Sequence, residues 1–152
     1  MSLFGAIEIA GSGMNAERVS MDVTSENLAN AQSTTSASGQ PYQRQVVELE
    51  ETSPTNDFSS TLQEAMTGTT SDSGPVAGGV QVAGIASDKT PDQLVYDPGN
   101  PSANKQGYVK MPNVSTVTEM VNLIDESNSY ESDVTAMQTA KDMFSSALGV
   151  LK

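Results

Sequence analysis

Both ends of this chain carry apolar residues at alternating steps of three and four, and that spacing restricts the fold more than any other feature. At the N-terminal end the seam runs Leu3, Ile7, Ala10, Met14, Glu17, Met21, Thr24, Leu28 and Ala31, with only Glu17 and Thr24 polar. At the C-terminal end it runs Met120, Leu123, Ser127, Tyr130, Val134, Met137, Lys141, Phe144, Leu148 and Leu151. Val117, Val121 and Ile124 widen the start of this second seam. Such a period belongs to a helix that keeps one stripe against a partner helix. It predicts helices over 1–31 and 113–151, each the nearest partner of the other.

Local signals agree with those limits. Asn30 and the Ser33-Thr34-Thr35-Ser36 run end the first pattern, and Pro112 precedes the second, with Asn113 or Ser115 available as N-cap. Thr116 and Glu119 have capping-box spacing. Gly5, Gly11 and Gly13 each weaken an isolated helix by up to ~1 kcal/mol relative to Ala. The second helix, at about 38 residues, is ~57 Å long, too long for so small a chain to cover. Asp125, Glu126, Glu131 and Asp133 read as its solvated face. The methionines Met14, Met21, Met120 and Met137 read as adaptable seam packing, and the Tyr130 ring as an interface anchor or ordinary core.

Between the helices the period falls to two. Gln40–Leu49 reads as a turn into a strand, Val80–Ile85 as a second strand, Leu94–Tyr96 as a third and Tyr108–Met111 as a fourth. Residues 52–78, rich in Ser, Thr and Gly, predict a flexible loop with a weak helical turn around Phe58–Met66. The class expected is therefore α+β: two long terminal helices in a coiled-coil-like pair, a small β-rich middle over 32–112, and a C-terminal helical segment over 113–152.

Composition removes most chemistry. The 152 residues include no Cys and no His, which excludes disulfides, thiol nucleophiles, imidazole catalysis and zinc fingers. Seven basic against 19 acidic residues give a net charge of −12, a poor match to nucleic acid or anionic lipid. No cleaved-signal pattern opens the chain, and no stretch approaches the ~18 apolar residues of a membrane span. Asp88 with Asp92, or Glu48, Glu50 and Glu51, could form a carboxylate pair of the glycosidase kind, but no apolar pocket surrounds them in sequence. Asp97-Pro98-Gly99-Asn100 places oxygen ligands near a glycine yet lacks EF-hand spacing, and reads as a turn. No enzyme, cofactor or metal site is expected.

Pairing the two helices leaves Val23, Val117, Val121 and Ile124 on other faces. Two readings stay open at this point: a self-contained helical hairpin with a β appendage, or ends that order fully only when copies assemble. Asn27 and Asn30 could set register as buried Asn does in coiled coils, with helix termination an equal reading for Asn30.

Particular runs resemble one family. Ser25-Glu26-Asn27-Leu28-Ala29-Asn30-Ala31 is similar to the Asn-Leu-Ala-Asn motif of flagellar rod and hook subunits. Gly39-Gln40-Pro41-Tyr42-Gln43-Arg44-Gln45-Val46-Val47 follows it as in the rod members. Tyr96-Asp97-Pro98-Gly99-Asn100-Pro101, Gly107-Tyr108-Val109-Lys110-Met111-Pro112-Asn113-Val114, Glu119-Met120-Val121 and Ser129-Tyr130-Glu131-Ser132-Asp133-Val134 complete the series in order. The chain thus resembles the axial rod and hook proteins of the bacterial flagellum, and within them the proximal rod. Two departures stand out: a long 52–78 stretch, and Asn128 where a basic residue is expected. The resemblance implies a structural subunit, exported by the flagellar type III apparatus without a cleaved signal, that polymerises through its terminal helices and transmits torque from motor to hook. It implies as partners further copies, proximal-rod subunits of the FlgB, FlgF and FliE types, and the export apparatus. The assembly interface expected comprises Leu3, Ile7, Met14, Met21, Asn27, Leu28 and Asn30 in the first helix, and Met120, Leu123, Tyr130, Val134, Met137, Phe144 and Leu148 in the second. Another rod or hook subunit, or a soluble export-associated protein that masks a partner's helix, are the alternatives.

Overall fold

A computed structural model describes residues 3–35, 40–52 and 78–150, with side chains placed for 5–35, 40–52 and 78–149. Helix α1 covers Leu3–Asn30, strands β1 Gln45–Thr52, β2 Gly79–Ser87, β3 Gln93–Tyr96 and β4 Tyr108–Met111 follow, and helix α2 covers Thr116–Val150. The class is α+β with a helix at each end. Thr52 closes β1 and Gly78 turns the chain into β2; the rest of the anticipated loop, including the helical turn at 58–66, lies outside the described residues.

The helices run antiparallel. Thr24 meets Glu126, Asn27 meets Glu119, Gly11 lies beside Met137 and Gly13 beside Asp133. Continuing that register sets Leu3 level with Phe144, and Met143 and Leu148 in the last turns of α2 are exposed. Ser115 caps α2: its Oγ accepts from the Thr118 N–H at 3.4 Å and from the Thr118 hydroxyl at 3.0 Å, meeting a donor that the first turn leaves unpaired. The expected capping box does not form, because Glu119 is turned inward instead. At the other end Asn30 Nδ2 donates to the Glu26 carbonyl at 3.0 Å, which is the helix-terminating role.

The seam itself differs from the one the apolar pattern predicts. In α2 the positions facing α1 include Glu119, Glu126 and Asp133, at steps of seven, with Ala140 buried further on. The seam therefore lies about one residue before the apolar series, and Met120 is 53% exposed. A sequence reading keeps carboxylates out of a helix interface because burying them costs free energy. Here Arg44 answers Glu119, Thr24 answers Glu126, and the missing side chain of Gly13 leaves room for Asp133, whose carboxylate a Cβ at that position would strike. In α1, Ala10, Thr24 and Ala31 are buried as predicted, while Ile7, Met14, Met21 and Leu28 are only half-buried. Val23 is buried too, which corrects the expectation that it stays exposed.

The reason is a second partner. The antiparallel β1–β2 hairpin lies alongside α1, its open end at Asn27, where Gln45 is held, and its far end at Ser12, whose Oγ accepts from the Val80 N–H at 3.1 Å. Fifteen helical residues at 1.5 Å and eight strand residues at ~3.3 Å cover similar lengths, so the two elements match along their contact. The register shifts between Glu48 and Leu49. A smaller hairpin, β3–β4, buries Val109 and stacks Tyr96 edge-on against Tyr108 at 5.3 Å. Among the described residues the buried apolar set is Ala10, Ala16, Val23, Ala31, Val109, Val114 and Ala140: small side chains that let backbones approach but bury little area each.

Candidate assembly site

Where α1 ends and α2 begins, polar groups from four segments converge. Asn27, 1% exposed on α1, makes four hydrogen bonds. Its Oδ1 accepts from the Gln45 N–H at 2.8 Å and the Tyr42 hydroxyl at 2.9 Å; its Nδ2 donates to the Gln45 carbonyl at 2.8 Å and to Glu119 Oε2 at 3.4 Å. The carboxamide thus holds both backbone groups of Gln45 on the free edge of β1, as a neighbouring strand would. Glu119, also 1% exposed, receives Arg44 Nε on its other oxygen at 2.7 Å. A carboxylate so buried is tolerable because it is both paired and hydrogen-bonded.

Arg44 extends the cluster outward. Its backbone N–H donates to Asn113 Oδ1 at 2.8 Å, its carbonyl accepts from the Asp88 N–H at 2.7 Å, and its guanidinium lies 3.7 Å from the Asp88 carboxylate. Asn113 Nδ2 reaches the carbonyls of Thr90 and Asp88 at 3.1 and 3.4 Å. Hydrogen bonds from the Thr90 hydroxyl and N–H, with Arg44 assisting, hold the Asp88 carboxyl below its usual range, and burial followed by the Glu26 and Glu119 charges pushes the Tyr42 phenol up. This is a latch: it ties the stem to the β lobe through side chains more than 60 positions apart in sequence, such as Arg44 and Glu119. No single stretch of the sequence discloses it, although Asn27, Tyr42, Arg44, Asn113 and Glu119 all sit in the motifs that carry the family resemblance.

Deeper in the stem the seam is electrostatically strained. One Glu126 oxygen accepts from Thr24 at 2.9 Å, while Oε2 is buried without a hydrogen-bond partner among the described residues. Burial raises the Glu126 carboxyl above its ordinary range, with the charges of Glu17 and Glu119 adding to it against the Thr24 bond. Glu17 is raised by burial and then by Asp133.

The outer side of α2 presents the opposite chemistry. Val117, Met120, Val121 and Ile124, exposed by 71, 53, 51 and 59%, form a stripe over its first turns, half a helical turn away from Glu119 and Glu126. Leaving Val117, Val121 and Ile124 uncovered is what the sequence predicts. Of the remaining expected interface residues, Leu3 opens α1, Leu123, Val134, Met137 and Phe144 are half-buried, and Tyr130 and Leu148 are exposed. Asn27 and Asn30 serve the latch and the helix end. Among the described residues no group of three or more acidic side chains is placed to hold a metal ion, and no helix is long and apolar enough to cross a membrane.

Comparison with known proteins follows this division. Residues 7–37 match the family described as "Flagella basal body rod protein", and residues 105–150 match "Flagellar basal body rod FlgEFG protein C-terminal". Those segments hold most of α1 with its end, and β4 with Asn113, Glu119 and α2, so both helices of the stem lie in the parts that match the flagellar rod class. Over its full length the chain is 42% identical to flagellar basal-body rod protein FlgC of Bacillus subtilis, covering 100% of both. It is 41% identical to FlgC of Escherichia coli O6:H1 and 40% to FlgC of Salmonella typhimurium, in each case over 94% of this chain and 93% of the relative. The chain belongs to the FlgC family of flagellar basal-body rod proteins.

Proposed function

We propose that this protein is a structural subunit of the proximal rod of the flagellar basal body, assembled through its paired terminal helices and transmitting torque from motor to hook. The observation that carries this reading is the apolar stripe at Val117, Met120, Val121 and Ile124. The inner face of α2 is already occupied by α1, so this second stripe needs cover from another molecule. Exposed Met143 and Leu148 in the last turns of α2 need it as well. The neighbours proposed are further copies and rod subunits of the FlgB, FlgF and FliE types, reached by way of the type III export apparatus. A contact between unlike faces that does not close on itself builds a tube.

The role is structural and not catalytic. Asp88 is committed to Thr90 and Arg44, Asp92 lies near Lys110, and Glu48, Glu50 and Glu51 are exposed along a strand. Replacing Val121 and Ile124 by Asp tests the reading, since neither side chain supports the monomer's core. The variant is expected to be folded and exported but missing from isolated basal bodies, with motility lost. Incorporation at the wild-type level, or absence of the wild-type chain from basal bodies, overturns the proposal; the second result favours a soluble helix-masking protein.

A further inference from the structure

The β lobe carries two charge patches of opposite sign, one past the end of the β1–β2 hairpin and one along the far half of β1. Just past the end of β2, an open groove of about 350 Å³ is lined by Lys89, Pro91, Asp92, Leu94 and Lys110, with Gln43 and Thr90 beside them. Lys89 is exposed and makes no ion pair among the described residues; Lys110 reaches Asp92 only at 3.9 Å. Leu94, 62% exposed, gives the groove an apolar wall. Two of the chain's seven basic side chains therefore converge on one depression of a molecule whose net charge is −12. Toward the other end of the hairpin, β1 exposes Glu48, Glu50 and Glu51 around a half-exposed Leu49. Glu51 pairs with Val80 and Gln45 with Ser87, so Glu51 and Glu48 lie about six and three strand residues, or roughly 20 and 10 Å, from the hairpin end that opens on the lysine groove.

We infer that the lysine groove of one copy receives the acidic Glu48–Glu51 edge of the next copy. The inference rests on the rod reading and adds to it a contact made by the lobes. Charge complementarity supports this occupant: an extended segment with Glu48 and Glu50 on one side of the strand offers carboxylates to two ammonium groups. Glu48, Glu50 and Glu51 also guard the β1 edge against indiscriminate strand pairing, so the groove selects one partner for an edge that repels most. Because the hairpin lies along α1, the two patches are displaced along the stem, and their union is head-to-tail and open-ended. It sets the axial stagger of neighbouring copies, while the stem supplies the area.

Sedimentation of the purified full chain tests the contact. Self-association is expected at low salt, weakening by about tenfold or more as salt rises to about 0.5 M. Lys89→Glu with Lys110→Glu should weaken it about tenfold, and Glu48→Lys with Glu50→Lys should do the same. Joining all four changes in one chain restores the pairing with its signs exchanged, and association should return. An equimolar mixture of the two double variants should associate where each alone does not. A wild-type chain that stays monomeric at low salt overturns the inference, as does a four-fold variant that is folded by circular dichroism yet associates no better than the double ones. Either failure leaves the rod reading standing if the wild-type chain is present in basal bodies.

Discussion

Asn27 shows at the scale of one residue why a poor helix former occupies the interior of α1. Asn lowers helix propensity, but its carboxamide here meets four partners, two of them the backbone groups of Gln45. Asn27→Ala should therefore cost about 3 kcal/mol in urea denaturation, since it strands buried donors and acceptors in addition to losing bonds. Glu126 makes the opposite case. Its folded-state pKa lies above the ordinary 4.5, mainly through burial, so the folded state holds the proton more tightly than the unfolded one. The stability so gained is complete below 4.5 and is lost as pH rises through the raised value, and Glu17 acts in the same direction. Thermal stability should thus increase as pH falls from neutrality toward the ordinary 4.5, until groups that stabilise the fold as anions, such as Asp88, shifted downward, begin to lose their charge. Glu126→Gln should flatten this slope and raise the melting temperature at pH 7; a steeper slope, or a lower melting temperature, contradicts the account.

At the scale of elements, α2 is positioned by its first residues. Ser115 caps the helix while Asn113, two residues earlier, holds the strand ends at Arg44, Asp88 and Thr90. Ser115→Ala should lower stability by about 1 kcal/mol. Asn113→Ala should leave the helix cap intact and loosen the lobe, so hydrogen exchange should quicken in β1 and β2 first. The element boundaries were readable from sequence because they rest on local chemistry: Pro112 and Ser115 before α2, Asn30 after α1, period-two runs at Val80–Ile85 and Tyr108–Met111. The facing surfaces were not. Apolar spacing places Met120 and Tyr130 in the seam and keeps Glu119 and Glu126 out of it, because a carboxylate's partner cannot be read from its neighbours in sequence. Arg44 lies 75 positions from Glu119, and Thr24 lies 102 from Glu126.

At the scale of the whole molecule, small buried side chains, a glycine-bearing α1 and a seam holding Glu17, Glu126 and Asp133 make a stem with little stability to spare. The isolated chain should show less helix by circular dichroism than the 28 and 35 residues of α1 and α2, and should approach that content when assembled. Full helicity in a dilute monomer would count against assembly-coupled ordering. Sequence alone determined that this chain has a helix at each end, strands between them, no thiol or imidazole chemistry, and apolar surface to spare, since periodicity and composition are properties of neighbouring or summed residues. Only the tertiary structure decided which stripe faces inward, that β1–β2 claims a second side of α1, and that Asn27, Arg44, Asn113 and Glu119 form one latch. Those outcomes depend on which distant groups satisfy one another's charge and hydrogen bonds, and that matching exists only once the chain has closed in space.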